Sequence, residues 1–277
     1  MGRLVAPTAA APGEELPSCS VVVPVRDDAM QLRGLLACLA AQSQRPLEVI
    51  VVDNASDDAT AAVARAAGCT VLFEPRQGIA PAAHRGYDAA RGELILRCDA
   101  DSRPPPGWVR AHARAHAHAK PGTAAVTGPG WFQGLPIVGA LLTIAYVGAY
   151  VVSAGAALGH PPLFGTTMSL RREWWHRVRS DASRSPRVHD DMDLSFLIGS
   201  DERVVFSASV GVRMSLRSLR SLRWGRLGFD RWRRAGSTLA RAWRREFPWD
   251  RWRLRLGQLK RAVGAGREGA VREGLGE

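Results

Sequence analysis

Residues 19–58 read CSVVVPVRDDAMQLRGLLACLAAQSQRPLEVIVVDNASDD. Two Val/Ile-rich runs, CSVVVPV (19–25) and LEVIVVD (47–53), enclose an Ala/Leu pattern of helical type. The alternation continues with helical DDATAAVARAA (57–67), strand-like TVLFEP (70–75), helical APAAHRGYDAA (80–90) and strand-like ELILRCDAD (93–101). Continuous apolar strands separated by helices predict a parallel α/β sheet with helices on both faces. Ligands bind such sheets beyond the carboxyl ends of the strands. The residues to inspect are therefore Arg26, Asp27 and Asp28, then Asp53, Arg76, Asp99 and Asp101. Acidic groups recur at that one edge.

The chain has 277 residues, enough for one large domain or two small ones. It carries 38 basic and 26 acidic residues, but 18 of the basic and 6 of the acidic ones follow Val210, so the first 210 are neutral. The excess basicity describes a tail. Four cysteines without CxxC spacing (Cys19, Cys38, Cys69, Cys98) read as buried reduced thiols of a cytosolic protein. Residues 1–18 lack the apolar core of a signal peptide and read as a disordered leader.

RCDADS (97–102) puts Asp99 and Asp101 on the same side of an extended segment, because side chains alternate along a strand. Carboxylates so spaced can hold a divalent cation that also binds phosphate oxygens; an Asp-rich turn is the plainer alternative. VHDDMDLSFLIG (188–199) sets Asp190, Asp191 and Asp193 at the start of an apolar helical run. One Asp suffices to cap a helix. Clustered carboxylates also raise one another's pKa, which suits general-base work. In WVRAHARAHAHAK (108–120), His112 and His116 have a spacing that can ligate a metal, but the helix reads more simply as a solvated Ala/His/Arg face.

Together, VVVPVRDDA (21–29), VIVVDNASDDAT (49–60), RQGIAPAAHRGYDAARGELILRCDADS (76–102), FGTTMSLRREW (164–174) and HDDMDLS (189–195) resemble, in order and spacing, the family 2 inverting glycosyltransferases of GT-A fold. The resemblance implies a hexosyltransferase-type enzyme using a nucleotide-diphosphate sugar, a UDP-sugar first, with GDP- and dTDP-sugars as alternatives. It implies that Pro24, Val25, Arg26, Asp28 and Asp53 line the nucleoside pocket and that Asp99 faces the ribose or the metal. Asp101 would bind Mg²⁺ or Mn²⁺, and Asp191 would be the general base, with Asp190 in place of the family's usual Glu. Asp193 and Arg171 would support the acceptor side.

Departures accompany the match. Where the family commonly has Ala-Arg-Asn-x-Gly, this chain has AAHRG (82–86), so Ala83 and His84 replace an Arg and an Asn. Arg76 and Arg85 are the candidates for the missing phosphate contact. No histidine follows His189 to complete a metal shell, and RSLRW (220–224) lacks the Gln of processive members. A pyrophosphorylase of similar fold would need a Gly-rich loop after the first strand, which PVRDDAMQL (24–32) does not supply.

No Asp, Glu, Lys or Arg lies between Lys120 and Arg171, and LPIVGALLTIAYVGAYVVSAGAALG (135–159) would reach roughly 36 Å as a helix. A single membrane crossing there would part Asp101 from Asp191, so the expectation is an apolar helix that is buried or lies in the membrane interface. The tail (211–277) holds five of the nine Trp amid its arginines, and Pro248 divides it into two helices. Such a tail fits an anionic membrane surface or a helix packed back on the domain; it carries no recognised nucleic-acid motif. The resulting expectation is a nucleotide-binding half (19–120), an acceptor half (121–210) and a basic helical tail. The chain would sit peripherally on the cytoplasmic membrane face, with a lipid-linked or apolar acceptor. The alternatives are a catalytically silent nucleotide-sugar-binding or membrane scaffold protein, or a basic nucleic-acid-binding protein.

Overall fold

In the computed structural model, which describes residues 15–132, 148, 151–152, 154–215, 226–244 and 247–253, each apolar run of the first hundred residues is a strand. The order is β1 (Cys19–Val25), α1 (Ala29–Ala40), β2 (Glu48–Asp53), α2 (Thr60–Ala66), β3 (Thr70–Phe73), α3 (Ile79–Ala89), β4 (Leu94–Cys98) and α4 (Trp108–Ala117). Then follow β5 (Thr123–Thr127), β6 (Gly130–Phe132), β7 (Thr167–Arg171), α5 (Arg172–Val178), α6 (Asp190–Leu197), β8 (Arg203–Phe206), β9 (Val212–Met214) and α7 (Arg226–Trp243).

Seven strands form one sheet in the order β3-β2-β1-β4-β7-β5-β8, while β6 and β9 pair separately. Strands β3, β2, β1 and β4 are mutually parallel, so their carboxyl ends share one edge. β7 runs antiparallel to β4, with Cys98 opposite Thr167 and Leu94 opposite Arg171. The chain thus enters β7 at the edge where β4 leaves. The mostly parallel α/β arrangement agrees with the sequence expectation.

Alternation divides the core. Val21, Val23, Val51, Leu94 and Leu96 face Leu32, Leu35, Leu39 and Trp108 on one side. Val22, Ile50, Val52 and Ile95 face Tyr87, Met168, Trp174, Trp175 and Leu194 on the other. Burial on both faces is why these strands read as unbroken apolar runs. Gly86 lets α3 lie close to the sheet: a Cβ there would come within 2.3 Å of Val22 Cγ1.

The α4 histidines correct the expectation of a solvated face. His112 and His116 are buried, and their ring nitrogens meet Ser169 Oγ at 2.8 and 2.9 Å. Trp108, His112 and His116 recur every four residues and form the inward face of α4. Of the four free cysteines, Cys19 and Cys98 are buried and Cys38 and Cys69 partly so.

The leader expected over 1–18 lies outside the described residues up to position 14. Within the apolar run 135–159, Gly148, Val151, Val152 and 154–158 are described and helical, Gly159 lies in the turn that follows, and the rest lies outside the described residues. No helix among the described residues is long and apolar enough to cross a membrane. In the tail, 216–225, 245–246 and 254–277 lie outside; after α7, helix resumes over 248–253, starting at Pro248. Proline suits a first helical turn, whose N–H has no intrahelical partner.

Candidate active site

The shared edge brings together the ends of β2, β1 and β4 and the start of β7. Val25 pairs with Asp53 in register, and Pro24 with Val52. The Asp53 carboxylate is buried and accepts from Ser56 N–H at 3.1 Å. Asp27 adopts a left-handed backbone (φ 50°), which Asp tolerates better than most residues; its carboxylate accepts from Asp57 N–H at 2.7 Å. The turns after β1 and β2 therefore brace each other, with Arg26 exposed and paired to Asp27 at 3.2 Å. Asp28 precedes α1, and its N–H donates to Thr60 Oγ1 at 3.1 Å.

Asn54 was not singled out from sequence, yet it organises the neighbouring wall. Its amide donates to the carbonyls of Glu74 (2.9 Å) and Arg76 (2.8 Å) and accepts from Gly78 N–H (2.7 Å). Arg76 and Arg85 flank the buried Glu74 carboxylate at 2.8 and 3.9 Å. The Arg76 hydrogen bond outweighs burial and holds the Glu74 carboxyl below its ordinary range.

The carboxylates of β4 and α6 meet around a residue the sequence reading passed over. Arg97, only 3% exposed, donates from Nη1 to Asp190 Oδ2 and from Nη2 to Asp99 Oδ1 at 3.3 Å. Burial opposes its charge, but Asp190, Tyr87, Asp99 and Asp191 together favour it and keep it protonated. Residues 165 and 166, just before β7, span the same acids. Gly165 N–H donates to Asp191 Oδ2 at 3.0 Å, and Thr166 Oγ1 to Asp99 Oδ2 at 3.1 Å. A Cβ on Gly165 would sit 2.5 Å from Arg97 Nη1, so only glycine lets the backbone cross the guanidinium.

Asp191 is half-buried and also accepts from Met192 N–H at 2.8 Å. Burial, then the neighbouring Asp190 charge, raise its pKa; Arg97, His189 and the Gly165 N–H oppose the rise. One guanidinium against Asp99, Asp190 and Asp191 leaves the cluster net negative, and Asp101 follows two residues after Asp99. Such a charge imbalance suits a divalent cation. Among the described residues, no three His, Cys, Asp or Glu side chains form a metal-holding group by themselves.

Two anticipated residues lie apart from this cluster. Arg171 pairs in register with Leu94, at the opposite end of β4, and its guanidinium donates to the carbonyls of Thr123 (2.9 Å) and His116 (3.1 Å). Asp193 is buried; it accepts from Ser183 N–H (2.7 Å) and Arg241 Nε (3.2 Å), which ties α6 to α7.

Residues 20–139 match the profile of Glycosyl transferase family 2. Dolichol-phosphate mannosyltransferase of Mycosarcoma maydis is 36% identical over 106 residues, covering 34% of this chain and 36% of the relative, so the match spans about a third of that relative's length. The mannosyltransferase PcManGT of Pyrobaculum calidifontis, solved with GDP-Man and Mn²⁺, superposes with a TM-score of 0.58 at 20% identity, covering 99% of this chain and 83% of its own. Glucosyl-3-phosphoglycerate synthase of Mycobacterium tuberculosis, solved with Mn²⁺, UDP and glucosyl-3-phosphoglycerate, gives 0.54 at 19% identity, covering 85% and 86%. These two likenesses establish the fold. The chain therefore has the GT-A fold, and within it residues 20–139 are similar to glycosyl transferase family 2.

Proposed function

We propose that the chain transfers a sugar, with inversion, from a nucleotide-diphosphate sugar to the hydroxyl of a lipid-linked or apolar acceptor. The observation that carries this reading is the convergence of Asp99, Asp190 and Asp191 on Arg97 at the edge of the parallel strands. The wall formed by Pro24, Val25, Arg26, Asp28 and Asp53 holds the nucleoside, and Arg76 and Arg85 offer charge to the diphosphate. Asp191 removes the acceptor proton as the acceptor oxygen attacks the anomeric carbon. The new C–O bond forms as the bond to the diphosphate oxygen breaks, and the nucleoside diphosphate leaves. A base with a raised pKa holds a proton more readily near neutral pH than an ordinary Asp.

The negative balance of the cluster fits a Mg²⁺ or Mn²⁺ ion at Asp101 and Asp99. When bound, such an ion offsets charge on the leaving diphosphate. Support comes from relatives: the two solved proteins are complexed with Mn²⁺ and a nucleotide or nucleotide sugar, and the Mycosarcoma protein is named for a dolichol-phosphate acceptor. Here a UDP-sugar is the first donor to try and a GDP-sugar the second, and the enzyme works at an anionic membrane surface.

Thermal unfolding against a panel of nucleotide sugars with Mn²⁺ tests the reading, since a ligand bound to the folded state raises Tm by mass action. One donor class should raise Tm in a Mn²⁺-dependent way. A panel without any such rise contradicts the proposal.

A further inference from the structure

Over residues 238–242 the long helix of the tail packs back on the domain, one of the two arrangements its sequence allows. Ala242 and Leu239 of α7 pack with Phe196 and Met192 of α6 and with Ala154, Ala157 and Leu158 of the apolar segment. Thr238 Oγ1 accepts from His189 N–H at 2.9 Å, and Arg241 donates to Asp193 at 3.2 Å and to the Asp181 carbonyl. This face of α7 is used in holding α6.

A different surface remains open. Phe247, Trp249 and Trp252 are 44%, 55% and 47% exposed, and Val152 is 72% exposed. Phe247 and Trp249 stack with centroids 4.7 Å apart and planes 4° from parallel. The Trp252 indole N–H donates to the Ala156 carbonyl, so the helical turn 248–253 rests on the apolar segment one turn from Val152. Arg251 fixes that turn from beneath: it donates to the Phe196 carbonyl, and its guanidinium lies 5.4 Å from the Phe196 ring centroid. Arg244 and Arg253 are exposed beside these aromatics, in a tail with three times as many basic as acidic residues.

We infer that Val152, Phe247, Trp249 and Trp252 form the face by which the protein docks on an anionic lipid bilayer. Indole and phenyl rings favour the depth where acyl chains meet headgroups, and flanking arginines meet anionic lipid. The patch adjoins a run of 50 residues (121–170) without any Asp, Glu, Lys or Arg, which favours lipid over nucleic acid. Phe196, over which Arg251 lies, shares α6 with Asp191, about 8 Å away along the helix axis. A docked face therefore holds the base within reach of an acceptor anchored in the same bilayer. The inference rests on the proposed lipid-linked acceptor and names the surface that would meet it.

The test is flotation of the full chain with vesicles of phosphatidylcholine, with and without 30 mol% (about one lipid in three) phosphatidylglycerol. The chain should float with the anionic vesicles, with a blue shift of Trp emission. The triple variant Phe247→Ala, Trp249→Ala, Trp252→Ala should lose about tenfold or more in partitioning. The single exposed change Trp249→Glu gives the same readout if the triple variant does not fold. Wild-type protein that stays unbound overturns the inference. So does variant binding at the wild-type level, which would mean adsorption by charge alone, or binding of duplex DNA in preference to anionic vesicles. Nucleotide-sugar thermal shifts, run on the same samples, separate loss of this face from failure of the proposed activity.

Discussion

Arg97 of β4 is ion-paired to Asp190 of α6, 93 residues later in the chain, and both side chains are buried. The pair joins the sheet to the helix that carries Asp191. Its second arm reaches Asp99, so one guanidinium spaces the acids on either side of the proposed reaction centre. Removing one partner of a buried pair leaves an uncompensated charge, which costs about 3–5 kcal/mol. Arg97→Met should therefore lower unfolding stability by that order in urea titrations, and lower turnover further. Arg97→Lys should recover much of the stability but less of the turnover, because an ammonium cannot fork to two carboxylates in the same plane.

Gly165→Ala should mimic the loss without touching any charge. The added methyl meets Arg97 Nη1 at 2.5 Å and Cζ at 2.7 Å, so the guanidinium or the Gly165–Thr166 backbone must shift. The expected cost is about 1–3 kcal/mol, with the N–H donated to Asp191 misplaced. Unfolding titrations and single-turnover rates on the variant check both effects.

Asp101→Asn addresses the cation. It should abolish the Mn²⁺-dependent part of the Tm rise caused by a donor, read against the variant's own metal-free Tm. An unchanged Mn²⁺ dependence would place the metal elsewhere.

Three buried histidines set the response to acid. Burial lowers the His84 pKa to about 4, that of His116 to about 3, and that of His112 well below its usual value. In the unfolded chain they would take up protons near pH 6.5. Below that pH the unfolded state binds more protons than the folded one, so stability falls as pH drops from about 6.5 toward 4. Asp191, with its raised pKa, works in the opposite sense but is one group against three. Urea midpoints should decline steadily between pH 7 and pH 5, and His116→Gln should flatten that decline.

Much of this architecture was legible in the sequence, because the parallel strands are buried on both faces and read as unbroken apolar runs. The carboxylates just past those runs could be located by the rule that ligands bind at strand ends. Other features depended on contacts between distant residues. β7 enters between β4 and β5 with reversed direction, and no local pattern encodes that order. Arg97 interrupts an apolar strand, and nothing local ties it to a residue 93 positions later, so its link to Asp190 was invisible. His112 and His116 sat among Ala and Arg, which disguised an inward face bonded to Ser169. Arg171 was drawn toward the site by its place in a motif, but the register sets it at the far end of the sheet.

The central claim is that Asp191 is the base of a sugar transfer at this edge, and it is most directly tested by Asp191→Asn. Donor affinity and turnover should be measured on the same preparation, with a hydroxyl acceptor and across pH. Donor affinity should stay within about threefold of wild type, while turnover falls by about 10²–10⁴. Wild-type activity should decline with falling pH at values above the ordinary Asp range, because burial and Asp190 raise this carboxyl and the base must be ionised. Turnover close to wild type in Asp191→Asn would contradict the account.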